Sequence, residues 1–110
     1  MKEIVEFLAG EGILCRRFEG VEPKKLGSRK RAEIYRGVDT EGYYCFVIVL
    51  RKKSRILRKE AEELEELRHR LEAKMEAKIK RCFLLYEAPL CSKAAVWLQE
   101  RGWRLFALGG

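Results

Sequence analysis

The chain has 110 residues, with 24 Lys and Arg against 17 Asp and Glu, a formal charge of +7 and 47% hydrophobic residues. That length suits one core, and ordinary apolar content beside 37% charged residues excludes disordered, collagenous and low-complexity classes. No apolar run approaches the roughly 20 residues of a membrane span; the longest is Tyr43 to Leu50. The start, Met1-Lys2-Glu3-Ile4, lacks a signal-peptide core, so a soluble cytoplasmic protein is expected, with no membrane partner.

Residues 2–9 place Ile4, Val5 and Leu8 on one helical face, and Gly10 and Gly12 stop that helix. A strand is expected over 13–18, then a loop over 20–28 with Pro23, Gly27, Lys24 and Lys25. Residues 32–36 and 43–50 read as two strands of a hairpin, joined by the turn-rich segment Gly37 to Gly42. The second strand is apolar on both faces, which predicts a central place in the sheet. From 54 to 80, Leu57, Ala61, Leu64, Leu71, Met75 and Ile79 recur every three or four residues, which predicts a long helix. At about 26 residues it would run about 39 Å, more than a globule of this size needs, so part of it is expected to pack on another subunit in a dimer or tetramer. A strand over 81–86, a helix from Ser92 to Arg101 and a last strand over 103–108 complete the chain. The fold class is α/β (α+β): a mixed sheet of four to five strands with a basic hairpin, one long helix and two shorter ones, forming one domain over 1–110.

Charge is unevenly placed. Residues 16–59 carry a net +9, while 1–15 carry −2 and 60–110 balance. The excess forms three clusters: Arg16-Arg17; Lys24-Lys25 through Arg29-Lys30-Arg31 to Arg36; and Arg51-Lys52-Lys53 with Arg55, Arg58 and Lys59. The third opposes the positive end of the helix it precedes, a conflict that a bound anion relieves. Several such clusters along one surface make a path for a polynucleotide backbone. The rival use is a solvated face paired with Glu60, Glu62, Glu63, Glu65 and Glu66 next in sequence. Single strands also need stacking faces, for which Tyr35, Tyr43 and Tyr44 are the candidates; Phe18 and Phe46 read as packing aromatics, and Trp97 and Trp103 as core or subunit contacts.

Catalytic signals are absent from the pattern. His69, the single histidine, sits in mid-helix, and no metal cluster, phosphate loop or nucleophile motif appears. Cys15, Cys45, Cys82 and Cys91 form no CxxC pair and read as small core residues, with a Cys82–Cys91 disulfide left open. One Gln, one Thr, one Asp and no Asn beside abundant Glu, Lys and Arg suit a hyperthermophile. The expectation is therefore no enzyme, no cofactor and no metal.

Two family resemblances follow from these segments. The order strand, turn with Asp39, strand, basic residues, helix, strand, helix, strand resembles metal-dependent nucleases of the restriction-enzyme fold. Those enzymes place an acid two positions before a Lys at the end of the second hairpin strand. Here Val49-Leu50-Arg51, Leu50-Arg51-Lys52 and Arg51-Lys52-Lys53 stand there instead, so the second metal-binding carboxylate is missing. The segment Arg29 to Arg36, the strand Tyr43 to Leu50 and the run Arg51-Lys52-Lys53-Ser54-Arg55 also make the chain resemble ThermoDBP and its relatives, single-stranded DNA-binding proteins of hyperthermophilic archaea. That resemblance implies sequence-tolerant binding of single-stranded DNA by an oligomer. Arg16, Arg17, Lys24, Lys25, Arg29, Lys30, Arg31 and Arg36 would hold the backbone on one side of a groove, with Arg51, Lys52, Lys53 and Arg55 on the other. Tyr35, Tyr43 and Tyr44 would stack on bases. RNA binding, or a degenerate restriction-enzyme-fold nuclease without its metal site, is the alternative.

Overall fold

The computed structural model describes residues 2–109. A helix, α1 (Lys2–Gly10), precedes three strands, β1 (Cys15–Val21), β2 (Glu33–Asp39) and β3 (Tyr44–Arg51), with a 3-10 turn at Pro23–Leu26 between the first two. Helix α2 (Arg58–Met75), strand β4 (Arg81–Glu87), helix α3 (Ser92–Glu100) and strand β5 (Trp103–Ala107) follow. The five strands form one sheet in the order β1-β2-β3-β4-β5. The first three are antiparallel neighbours, while β3-β4 and β4-β5 pair in parallel.

The mixed sheet follows from β3. Phe46, Ile48 and Leu50 on one face and Cys45, Val47 and Val49 on the other are all buried, so both faces must be covered. The two parallel crossovers carry α2 and α3 over the first face, where Ala61, Leu64, Leu67, Leu71, Ala94 and Leu98 join the core. The second face is closed by α1 through Ile4 and Leu8, with Phe7 edge-on to Phe106 at 6.1 Å. Each fully buried aliphatic side chain contributes about 1.5–3 kcal/mol, so β3 anchors the fold.

The long helix is shorter than its periodicity predicts. Residues 52–57 stay outside the helix because Ile56 pairs with Leu90 in a parallel bridge and is wholly buried. At the other end Glu76 turns left-handed (φ 54°), and the Glu72 carboxylate accepts the Ile79 N–H at 2.8 Å. Ile79 thus folds back into the core outside the helix. The 18 residues of α2 span about 27 Å, within the 33 × 30 × 25 Å molecule. Its apolar stripe is buried against its own sheet, so helix length gives no ground for a subunit contact.

Strand β2 runs to Asp39, beyond the expected Arg36, because the Asp39 carboxylate accepts the N–H groups of Glu41 and Tyr43 at 2.9 and 2.8 Å and so tightens the turn. All four cysteines are free; Cys45 and Cys82 are buried, and burial pushes the Cys82 thiol up to about 12. Trp103 is a core residue whose indole N–H donates to Glu65 at 2.9 Å, and His69 is an exposed helix residue beside Glu65 and Glu72. No helix among the described residues is long and apolar enough to cross a membrane.

Candidate nucleic-acid interface

The antiparallel hairpin separates the expected cations rather than facing them across one groove. Arg16 pairs opposite Val38, near the hairpin turn, whereas Arg51 leaves β3 beyond the Glu33–Val49 pair. The length of the strands puts about 20 Å between these ends. Arg51, Lys52, Lys53 and Arg55 therefore do not form the second wall of a groove begun by Arg16 and Arg17.

Ion pairs divide the set again. Lys30 (2.5 Å) and Lys52 both hold Glu60, whose carboxylate is largely buried, so these two lysines clamp the loop before β2 and the end of β3 to α2. Burial would raise the Glu60 carboxyl, but the hydrogen bonds and charges of Lys30 and Lys52 outweigh it and hold the group below its ordinary value. Arg51 lies between two carboxylates, Glu33 at 2.7 Å and Glu87 at 3.6 Å. Arg36 pairs with Glu19 across β1 and β2 at 2.5 Å. Arg16, Arg17, Lys24, Lys25, Arg29, Arg31, Lys53 and Arg55 are exposed and carry no ion pair among the described residues.

The tyrosines also part. Tyr35 is 8% exposed and stacks on Phe18 at 5.0 Å. Its hydroxyl donates to Glu33 at 2.7 Å, and burial, with that bond, pushes the phenol up to about 12. It is a packing residue, which corrects its reading as a stacking platform; a sheet covered on both faces buries adjacent residues of β2 alike. Tyr43 is exposed, but its ring already carries Arg81 at 4.8 Å and Lys80 at 5.1 Å. Tyr44 is 39% exposed and lies on the α2 side of the sheet.

A groove opens beside Tyr44. Its first part, about 280 Å³, is lined by Arg17, Glu19, Arg36, Val38, Tyr44 and Met75. It continues past Glu19, Arg36 and Met75 into a second hollow of about 260 Å³ that adds Lys25, Leu71 and Lys74. The groove thus runs between the β1-β2 edge and the last turn of α2. A bulge builds its rim: Arg17 is the extra residue of β1, at φ 50°, where the register shifts between Arg16 and Glu19. Opposite it, Gly37 leaves the room the bulge needs, because a Cβ there would lie 2.9 Å from the Arg16 carbonyl oxygen. Lys74 and Met75 were not anticipated; Met75 belongs to the apolar stripe of α2 and emerges only because the helix ends there.

Four cations, Arg17, Lys25, Arg36 and Lys74, thus line one continuous groove with Tyr44 at its Arg17 end and Glu19 as the acid among them. Such a surface attracts phosphodiesters and offers a ring for an unpaired base.

The restriction-enzyme-fold metal site is not matched by the residues present. Val49 is buried under α1, and the Arg51 guanidinium stands between Glu33 and Glu87. The Asp39 carboxylate is taken by the turn N–H groups and by Arg81 at 3.1 Å. Among the described residues no three His, Cys, Asp or Glu side chains are grouped to hold a metal ion.

No family model matches the chain, and no curated protein does. Solved structures with this fold include EndoMS in its apo form, at 18% identity and a TM-score of 0.62, covering 99% of this chain and 46% of that one. A repair endonuclease from Pyrococcus abyssi matches 83% of this chain and 38% of its own at 17% identity and 0.55, and EndoMS in a complex with double-stranded DNA matches 97% and 43% at 21% and 0.54. The chain spans less than half the length of each of these proteins. At these identities the likeness establishes the fold. It also corrects the expectation that the chain is not an enzyme: its architecture is shared with endonucleases, and strand cleavage belongs among the activities to be measured.

Proposed function

We propose that this chain works on DNA as a domain of endonuclease fold, taking a single strand through the groove beside Tyr44. The observation that carries this reading is that Arg17, Lys25, Arg36 and Lys74 line one continuous groove that has a part-exposed tyrosine, Tyr44, at one end. Phosphates lie against the cations, and a base stacks on Tyr44 with Met75 beside it. The grip is to charge and ring faces rather than to base edges, so it tolerates sequence. The fold shared with EndoMS, one of whose structures holds double-stranded DNA, supports DNA as the ligand. The ThermoDBP resemblance supports a single strand as the ligand.

The test is fluorescence anisotropy of labelled oligo(dT), oligo(U) and a duplex across salt concentrations. Arg17→Glu with Lys25→Glu is expected to weaken oligo(dT) binding at least about tenfold and to flatten the salt slope by about 1.4, two lost phosphate contacts on a single strand. Unchanged affinity overturns the groove assignment, and a preference for oligo(U) makes the ligand RNA. The same samples, incubated with magnesium and run on a denaturing gel, show whether this chain itself cuts.

A further inference from the structure

The third basic cluster lies outside the groove, at the end of the sheet where β3 and β4 finish. There Ile56 ties two segments together: its N–H donates to the Pro89 carbonyl at 2.8 Å, and its carbonyl accepts the Cys91 N–H at 3.0 Å. These bonds bring the loop before α2 against the start of α3. Lys53, Arg55 and Lys59 from one segment and Lys93 from the other are exposed and carry no ion pair among the described residues. Of the acids around them, Glu60 is engaged by its two lysines, Glu87 by Arg51, and Glu100, which shares a hollow with Lys93, by Arg101 at 3.9 Å. The Cys91 thiol registers the convergence. It is held below its ordinary value first by the N–H groups of Ala94 and Lys93, and then by the charges of Arg55 and Lys93.

From this placement we infer a second, independent backbone-binding surface, formed by Lys53, Arg55, Lys59 and Lys93, by which one chain holds a second nucleic-acid strand while the groove holds the first. Between the two surfaces stands the solvent face of α2, where Glu62, Glu63 and Glu66 pair with Arg58, Lys30 and Arg70. That face is charge-balanced and offers a phosphodiester chain no continuous cationic track, so the two basic regions serve two strands rather than one. The occupant is a phosphodiester backbone because the surface offers exposed cations, while the ring beside Lys93, Trp97, is part-buried and already covered by Arg101 at 3.7 Å: it grips charge and reads no base. The inference rests on the strand-binding reading of the groove.

The experiment mixes oligo(dT) carrying a donor dye, oligo(dT) carrying an acceptor dye and the full chain. The two strands cannot pair with each other, so sensitised emission reports two strands on one protein particle. Lys53→Glu with Arg55→Glu, two exposed positions, is expected to abolish the sensitised emission and keep donor-strand anisotropy within about twofold of the native chain. Arg17→Glu with Lys25→Glu is expected to abolish the emission too, with the remaining strand bound at the other surface. Emission that persists in the Lys53/Arg55 variant overturns the second surface and assigns the paired strands to protein association. Equal loss of anisotropy and emission in that variant also overturns it, in favour of one continuous track. A native chain with no salt-dependent anisotropy overturns the strand-binding reading, and this inference with it.

Discussion

The Lys30–Glu60–Lys52 clamp and the groove beside Tyr44 are made of the same residue types to opposite ends. In the clamp two lysines surround one largely buried carboxylate and join the loop before β2, the end of β3 and α2. In the groove four cations surround an open hollow in which Glu19 is the single acid. Even adjacent basic residues differ in this way: Lys52 is held in the clamp, while Lys53 is exposed and carries no ion pair among the described residues. Charge density along a sequence therefore locates basic regions without distinguishing the cations that hold the fold from those free to hold a ligand.

The sharpest way to break the comparison is Glu60→Gln. It leaves two partly buried ammonium groups without their counter-charge and is expected to cost about 2 kcal/mol, a fall in Tm of roughly 10 °C, with oligo(dT) affinity unchanged. Thermal unfolding and anisotropy on one preparation check both halves. The same variant tests the acid limb of stability. The Glu60 carboxyl lies below its ordinary 4.5 in the folded chain. Its contribution is therefore complete above the unfolded-state value and is lost as pH falls through the folded one. Urea unfolding of the native chain should weaken below about pH 4.5, and Glu60→Gln should weaken less over that window; Asp39 and Glu72, also held low, keep part of the slope in both.

On the groove side, Tyr44→Ala is expected to lose about one base-stacking contact, roughly fivefold to tenfold in affinity for oligo(dT), with little effect on the salt slope. Tyr35→Phe should leave affinity untouched and lower stability by about 1 kcal/mol through the lost bond to Glu33. Reversed results would exchange the roles of the two tyrosines. The smallest effect is expected of Glu19→Gln. Glu19 competes with phosphate for Arg36, so its neutralisation should tighten binding about threefold and steepen the salt slope by about 0.7. A loss of affinity instead would mean that Glu19 positions Arg36 for the ligand.

Much of the architecture is legible in the sequence because β3 leaves little choice. A strand apolar on both faces requires cover on both, and the two βα units after it supply one layer while α1 supplies the other. The limits of α2 are not legible. Its apolar spacing continues through Ile56 and Ile79, yet one is held by a bridge to Leu90 and the other lies beyond a left-handed Glu76, a position that glycine more often marks. The candidate site is legible only in part. Arg17, Lys25, Arg36 and Tyr44 carry its charge and its ring, but Arg17 reaches the groove through a bulge, and Lys74 joins it from a helix end. Tyr35 misleads because alternation along β2 separates two faces, not inside from outside.

The bulge at Arg17 also bears on how copies of this protein meet. Strand β1 is an edge of the sheet, and an unbroken edge is a template on which another chain's strand can add. Here the hydrogen-bonding row is interrupted between Arg16 and Glu19, and two guanidinium groups stand beside the break. Strand addition at β1 is thereby discouraged. Among the described residues, the five-residue β5 remains as a regular free edge.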